Sequence, residues 1–368
     1  MNSYENLYLN FESFASGKII ISGEHSVVYG KPALCIGINK FTKMKVNNIE
    51  NDKNIFSNIK LIETKEEFNI LKIDIINNLK DENYIIKDKK THFTNIIIKI
   101  FSYIKDEKEK EILKNFILNT TLNIIISSEF PVGFGLGSSS AYNICISNGF
   151  YYIINKLFNV KIDLNSFILL CNSFEKFFHN GTPSGIDVTT SINGGLILFK
   201  KIDNFEKYII NENDDYLINK IYIYLISSNI IREGGKLIKK VSDFKKENFE
   251  KFNLLINEIS DITNDIFKLL FEKGNNILLF FDLIKKNQVK LKEIQVSNSE
   301  IDNIIQLLLN NNFIGKITGA GGGGFIVSFI EKNRNQEFIK LLNENNLKYL
   351  DVKICNKGMF INDINLNK

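Results

Sequence analysis

The segment PVGFGLGSSSA, residues 131–141, sets three glycines at alternate positions, Gly133, Gly135 and Gly137, directly before Ser138, Ser139 and Ser140. Upstream, the apolar run Asn123–Ile126 reads as a strand. Downstream, 138–158 reads as a helix with Ser at its cap position, and Ile144, Ile146, Phe150, Ile153 and Ile154 suit a half-buried face. A glycine-rich turn that opens a helix leaves backbone N–H groups unpaired, and the helix dipole adds partial positive charge there. Phosphate is the natural guest of such a turn. Pro131 and Leu136 belong to the same turn, and the serine hydroxyls can add hydrogen bonds or coordinate Mg²⁺. The competing reading is a tight strand-to-helix connection without a ligand.

Other phosphate fingerprints fail on this chain. There is no GxxxxGK[ST], and neither HRD nor DFG occurs. In 133–138 a Ser stands where GxGxxG needs its last Gly. A literal GxGxxG does occur at Gly319–Gly324, but the apolar run Phe325–Ile330 follows it, which reads as a buried strand and not as a helix. The dinucleotide reading therefore fails on context. Gly319–Gly324 reads instead as bare backbone that a ligand or a neighbouring loop approaches.

Three further segments stand out from a background rich in Asn, Ile and Lys. They are GKIIISGEHSVVYGKPALCIG (17–37), GTPSGIDVTTSINGG (181–195) and GKITGAGGGG (315–324). All three prolines lie in or beside these glycine-rich stretches. Asp187 sits among Gly, Ser and Pro, and Glu175 lies twelve residues earlier on a predicted helix, 164–178. One carboxylate near a nucleotide can hold Mg²⁺ while a second accepts a hydroxyl proton. Taken alone, Asp187 reads equally as a cap or turn residue. Lys18 opens an apolar run, 18–22, and Glu24-His25 follow a glycine. A lysine at a buried strand end can neutralise phosphate charge, although a solvated surface lysine is the commoner case.

A length of 368 residues fits two or three domains. With 44% apolar and 24% charged residues the composition excludes a disordered chain and a coiled coil. No apolar run nears the roughly 18 residues that cross a bilayer, so no membrane span is expected. Glu5 and Glu12 near the start, without a basic then apolar segment, argue against a secretory signal. A net charge of +4, spread diffusely, gives no nucleic-acid face. Four widely spaced cysteines without a CxxC indicate buried thiols, not a zinc site or disulfides. Strands are also expected at 196–199 and 221–225, helices at 252–270 and 277–286, and helices with a strand and a variable loop across 47–120. The mixture is α+β in two layers, with Asn211–Asp215 as a candidate boundary.

In order and spacing the four segments resemble the GHMP small-molecule kinase superfamily, and within it the mevalonate kinases. GKIIISGEHSVVYGKPAL resembles the opening motif, PVGFGLGSSSAY the nucleotide loop, HNGTPSGID the third segment and KITGAGGGGF the last. The GEH is followed by Ser26-Val27-Val28 where galactokinases usually carry Thr-Asp-Tyr, and PSGID also favours the mevalonate branch. Four departures occur. Ser16 replaces the proline of the usual APGK, Asn180 is an extra residue between His179 and Gly181, and Val188 replaces a common Asn. In 230–234, Ile231 and Gly234 replace a Pro and a Thr.

The resemblance implies the GHMP kinase fold, α+β, with a ribosomal-protein-S5-like N-terminal domain (1–215), a ferredoxin-like C-terminal domain (216–368) and an active site between them. It implies ATP and Mg²⁺ as cofactors and Asp187 as catalytic base, with Lys18 beside it. Pro131, Gly133, Gly135, Leu136, Gly137, Ser138, Ser139 and Ser140 would wrap the nucleotide phosphates. Ser139 and Glu175 would hold the metal. Glu24, His25, Thr318, Gly319, Ala320 and Gly321 would line the substrate side, with Arg232 or His25 facing a substrate carboxylate. The implied substrate is a small-molecule primary alcohol, mevalonate, phosphorylated to 5-phosphomevalonate in isoprenoid biosynthesis. The implied setting is the cytoplasm, with no nucleic-acid or membrane partner, and a homodimer is allowed. Another kinase of the superfamily (phosphomevalonate kinase or galactokinase-like) and a non-catalytic nucleotide sensor remain as alternatives.

Overall fold

The computed structural model describes residues 7–79, 84–178, 183–211, 213–232, 234–271 and 276–365. The HNGT part of the third segment, with His179 and Asn180, lies outside the described residues, as does Glu233.

The chain runs β1 (Asn10–Ser22), β2 (Ala33–Ile49), β3 (Ile55–Leu61), β4 (Glu66–Leu71), α1 (Lys72–Asn78), α2 (Lys89–Phe101), α3 (Glu107–Asn119) and β5 (Thr121–Ser128). It continues with α4 (Ser138–Phe158), α5 (Leu164–Phe174), α6 (Ile186–Asn193), β6 (Leu196–Lys201), β7 (Asn204–Tyr208) and β8 (Ile221–Ser227). Then come α7 (Gly234–Glu247), α8 (Phe249–Phe271), α9 (Ile277–Glu293), α10 (Ser299–Asn310), β9 (Lys316–Ile317), β10 (Phe325–Glu331), α11 (Asn335–Glu344), β11 (Tyr349–Val352) and β12 (Phe360–Asp363).

Two sheets result. The larger runs β12-β1-β2-β5-β3-β4, and the β6–β7 hairpin pairs with β2. β2 is long enough to serve two partners. Its first residues, Ala33–Ile36, pair β6, and Thr42–Ile49 pair β5. The smaller sheet is antiparallel, β11-β8-β10-β9. The burial pattern along β1 changes with its surroundings. It alternates at first, as a strand covered on one face does, and is continuously buried over 15–22, where both faces are covered. The continuous run contains Lys18.

The main core packs the large sheet against α2 and α4, through residues such as Phe56, Phe93, Phe101 and Phe150. A second core lies among the small sheet, α8, α10 and α11, around Ile226, Phe252, Leu308 and Phe338. The last strand does not stay with the small sheet. β12 returns to pair with β1, Phe11↔Asp363 to Phe14↔Phe360, and covers what would otherwise be an open edge. The region 47–120 holds two full strands, β3 and β4, where one was expected. The predicted helix 164–178 is shorter. α5 ends at Phe174, and Glu175–Phe177 continue as a 3₁₀ turn.

Candidate active site

Local chemistry builds each wall of the site. β5 ends at Ser128, and the glycine turn carries the chain into α4. Gly133, Gly135 and Gly137 all have positive φ, at 84°, 95° and 75°. The cap of α4 is Gly137 and not Ser138, and a glycine has no side chain with which to cap the first N–H groups of the helix. Ser138 Oγ instead accepts from Gly133 N at 3.3 Å, inside the turn. Alternating left-handed residues before a helix make a concave row of N–H donors. Leu136 and Ser140 are fully buried, whereas Pro131 is exposed.

Two backbone hydrogen bonds bring the other segments here. Lys18 N donates to Leu136 O at 3.0 Å, which pins β1 to the turn. Phe325 N donates to Phe134 O at 3.2 Å, which pins the fourth segment to its other side. The approach at Gly324 is so close that a Cβ would sit 2.4 Å from Phe134 O. Gly135 is constrained likewise, since a Cβ there would lie 3.1 Å from Arg232 Nη1 and 3.2 Å from Thr318 O.

Asp187 lies in the first turn of α6, which favours a negative side chain. Its Oδ1 is 2.9 Å from Lys18 Nζ. The lysine is 2% exposed and the aspartate 32%, so the pair presents its carboxylate outward over a buried cation. Arg232 is largely buried nearby. Burial pulls its guanidinium below the usual range, opposed by the Asp187 charge, and its Nε has no hydrogen-bond partner among the described residues. Lys18 and Arg232 thus give the space beside Asp187 two cations, of which Arg232 has unmet donor capacity.

The turn after β1 is strained. Ser26 N donates to Glu24 O at 2.7 Å, closing a γ-turn around His25, whose φ is 61° and ψ −44°. Such a conformation costs a non-glycine residue energy of about 1–3 kcal/mol and recurs at functional sites. His25 Nε2 donates to Ala320 O at 2.9 Å, the tautomer being set by the carbonyl. Glu24 is buried and ion-paired with Lys316, and Asn287 Nδ2 donates to its other oxygen at 3.4 Å. Both oxygens of Glu24 therefore already have protein partners. The Thr318 hydroxyl is likewise committed, accepting from Ile20 N at 3.0 Å. Gly319 borders Arg232, while Gly321 packs on the Val296 carbonyl. Of the residues expected to face substrate, the structure turns Glu24 and Thr318 into ties between the two halves, because their buried polar groups need partners.

Ser139 Oγ donates to Glu175 Oε2 at 2.9 Å. Among the described residues no three His, Cys, Asp or Glu side chains cluster as a cage. A hydroxyl and one carboxylate at a phosphate-binding turn suit Mg²⁺, which takes few protein ligands and completes its shell from nucleotide phosphates and water. The donor set fits the implied metal. Sequence reasoning missed Lys316, Asn287, Asn143 and His92. A lysine inside the apolar Gly315–Thr318 run was the available signal for the first; the others sit on helices without any.

Two histidines whose burial disfavours the charged form are expected to make the fold acid-sensitive. Burial pushes His25 below its ordinary 6.5, the Ala320 carbonyl opposing and Arg232 adding. Burial also lowers His92, opposed by Asn143 and Glu175. Below about pH 6.5 the unfolded chain takes protons that the folded chain resists. Stability present above that pH is lost as pH falls toward the folded values, at up to about 1.4 kcal/mol per pH unit per group. Urea midpoints are expected to drop from pH 7.5 to 5.5, and less steeply in His25→Gln; equal slopes in parent and variant would contradict the assignment.

Family models of the GHMP kinases N terminal domain and of the GHMP kinases C terminal match residues 95–195 and 266–348. The mevalonate kinase of Methanocaldococcus jannaschii is 25% identical over 341 residues, covering 92% of this chain and 98% of that one. L. major mevalonate kinase, solved with R-mevalonate, superposes with a TM-score of 0.66 at 19% identity, covering 93% of this chain and 95% of that one. Lactococcus lactis galactokinase, solved with galactose, reaches 0.69 at 14% identity, covering 98% and 96%. The likeness in fold thus extends to kinases of different substrates. With both halves matched and the fold shared end to end, the chain belongs to the GHMP kinase superfamily.

Proposed function

We propose that this protein transfers the γ-phosphoryl group of ATP to the primary hydroxyl of mevalonate. The observation that carries the reading is the Lys18–Asp187 pair, 2.9 Å apart, whose lysine lies on a strand tied by backbone to the 133–140 turn. Phosphoryl transfer needs alignment and charge neutralisation more than covalent chemistry. Asp187 takes the hydroxyl proton while the new O–P bond forms and the bond from the γ-phosphorus to the bridging oxygen breaks, releasing ADP. Lys18 stabilises the developing alkoxide charge. The N–H row at 133–140 holds phosphate oxygens, and Arg232, whose Nε–H has no partner among the described residues, meets an anionic group of either substrate. Mg²⁺ held by Ser139 and Glu175 neutralises phosphate charge when bound.

The choice of mevalonate is supported by relatives that bear the name mevalonate kinase. The division at 215/216 belongs to this reading, with β12 crossing back to pair β1. So do a role in isoprenoid biosynthesis and a cytoplasmic setting; no described helix is long and apolar enough to cross a membrane.

A panel of mevalonate, phosphomevalonate, galactose and homoserine, with ATP and with Mg²⁺ present or omitted, tests it. Mevalonate is expected to be turned over fastest, and only with the metal. Turnover of another member in its place moves the substrate, and ATP binding without any turnover makes the protein a sensor.

A further inference from the structure

Glu175 is held by α4 on both of its oxygens. Ser139 donates to Oε2, and Asn143, one helical turn later on the same face, donates from Nδ2 to Oε1 at 2.6 Å. An amide can be turned over with little change of shape, and the flipped form would set Asn143 Oδ1 against the buried carboxylate, acceptor against acceptor. What selects the productive orientation lies on a different helix. Asn143 Oδ1 accepts from His92 Nε2 of α2 at 2.8 Å. This contact requires the proton on Nε2, which leaves Nδ1 bare; that atom is buried and has no hydrogen-bond partner among the described residues. The ring cannot turn easily to relieve it. It stacks on Phe177 with centroids 4.3 Å apart and planes 12° apart, and meets Phe174 and Phe178 edge-on.

A buried histidine that leaves one nitrogen without a partner among the described residues while its other nitrogen donates to Asn143 acts as a fixed donor. We propose that Asn143, locked in orientation by His92, is a positioning residue that aims the Glu175 carboxylate at a divalent cation. The inference rests on the reading that Ser139 and Glu175 hold that cation. Glu175 sits on a short 3₁₀ turn, which by itself would not fix its rotamer. Partners one shell behind a metal ligand commonly matter about 10–100-fold for affinity.

The test uses the full chain saturated with ADP and reads Mn²⁺ affinity by electron paramagnetic resonance, with no turnover required. Asn143→Leu is expected to weaken Mn²⁺ by about 10–100-fold, with ADP affinity in the absence of metal unchanged. His92→Phe keeps the ring stack and removes the donor, and is expected to weaken Mn²⁺ in the same direction. His92→Gln restores an N–H donor and is expected to recover most of the loss. The positioning role is overturned if Ser139→Ala and Glu175→Gln weaken Mn²⁺ while Asn143→Leu and His92→Phe do not. If none of the four variants changes Mn²⁺ affinity, the metal assignment itself fails and the inference goes with it.

Discussion

Asp187→Asn is expected to lower kcat by about 10²–10⁴-fold, with ATP affinity largely kept. Asparagine matches aspartate in shape, so the approach of substrate is preserved. Its amide cannot accept the hydroxyl proton, and it leaves the Lys18 ammonium, 2% exposed, without its counter-charge. Both effects act where charge develops, so they fall on kcat more than on binding. Lys18→Met removes the other half of the same unit. The double variant is therefore expected to be little worse than either single one, since residues that act together are not additive. Steady-state kinetics beside nucleotide titration decides the matter, and near-normal turnover in a folded Asp187→Asn protein would remove Asp187 as the base.

Lys316→Met is expected to produce the largest loss of stability, about 3–5 kcal/mol. Lys316 is fully buried, paired with Glu24, and also donates to Ile317 O at 2.6 Å. Burial pulls its ammonium below the usual range and Glu24 opposes that shift. Removing the lysine leaves a carboxylate that is 1% exposed, with the Asn287 amide donating to it from 3.4 Å. Replacing both partners removes the stranded charge, so Lys316→Met with Glu24→Leu is expected to recover much of the loss. Denaturant midpoints measure this, and a single-variant cost below about 1 kcal/mol would show that the pair carries no such burden.

The elements that position the site were legible in large part. The strands at β1, β5, β6, β8 and β10 and the helix α4 carry strong local signals, an apolar run or a helical period bounded by glycine. Local signals were weakest where tertiary contact overrides them. Ser138 carries the residue type of a cap, yet Gly137 caps α4, because the turn needs a left-handed residue at that point and recruits Ser138 internally. The strands of 55–71 were under-read, since their pairing with each other and with β5 decides them more than their polar, Asn-rich composition. The return of β12 to β1 has no local signature at all.

Residue spacing alone identified four glycine-rich segments and the acids and lysine they carry, because left-handed backbone and close approach admit few residues besides glycine. Only the folded chain decided what each side chain faces. It joined Lys18 to Asp187 across 169 positions and Glu24 to Lys316 across 292, and it bound Glu175 to a histidine on another helix through Asn143. Contacts between residues so distant in sequence follow from which buried polar groups must satisfy one another, and that requirement is set by packing in three dimensions.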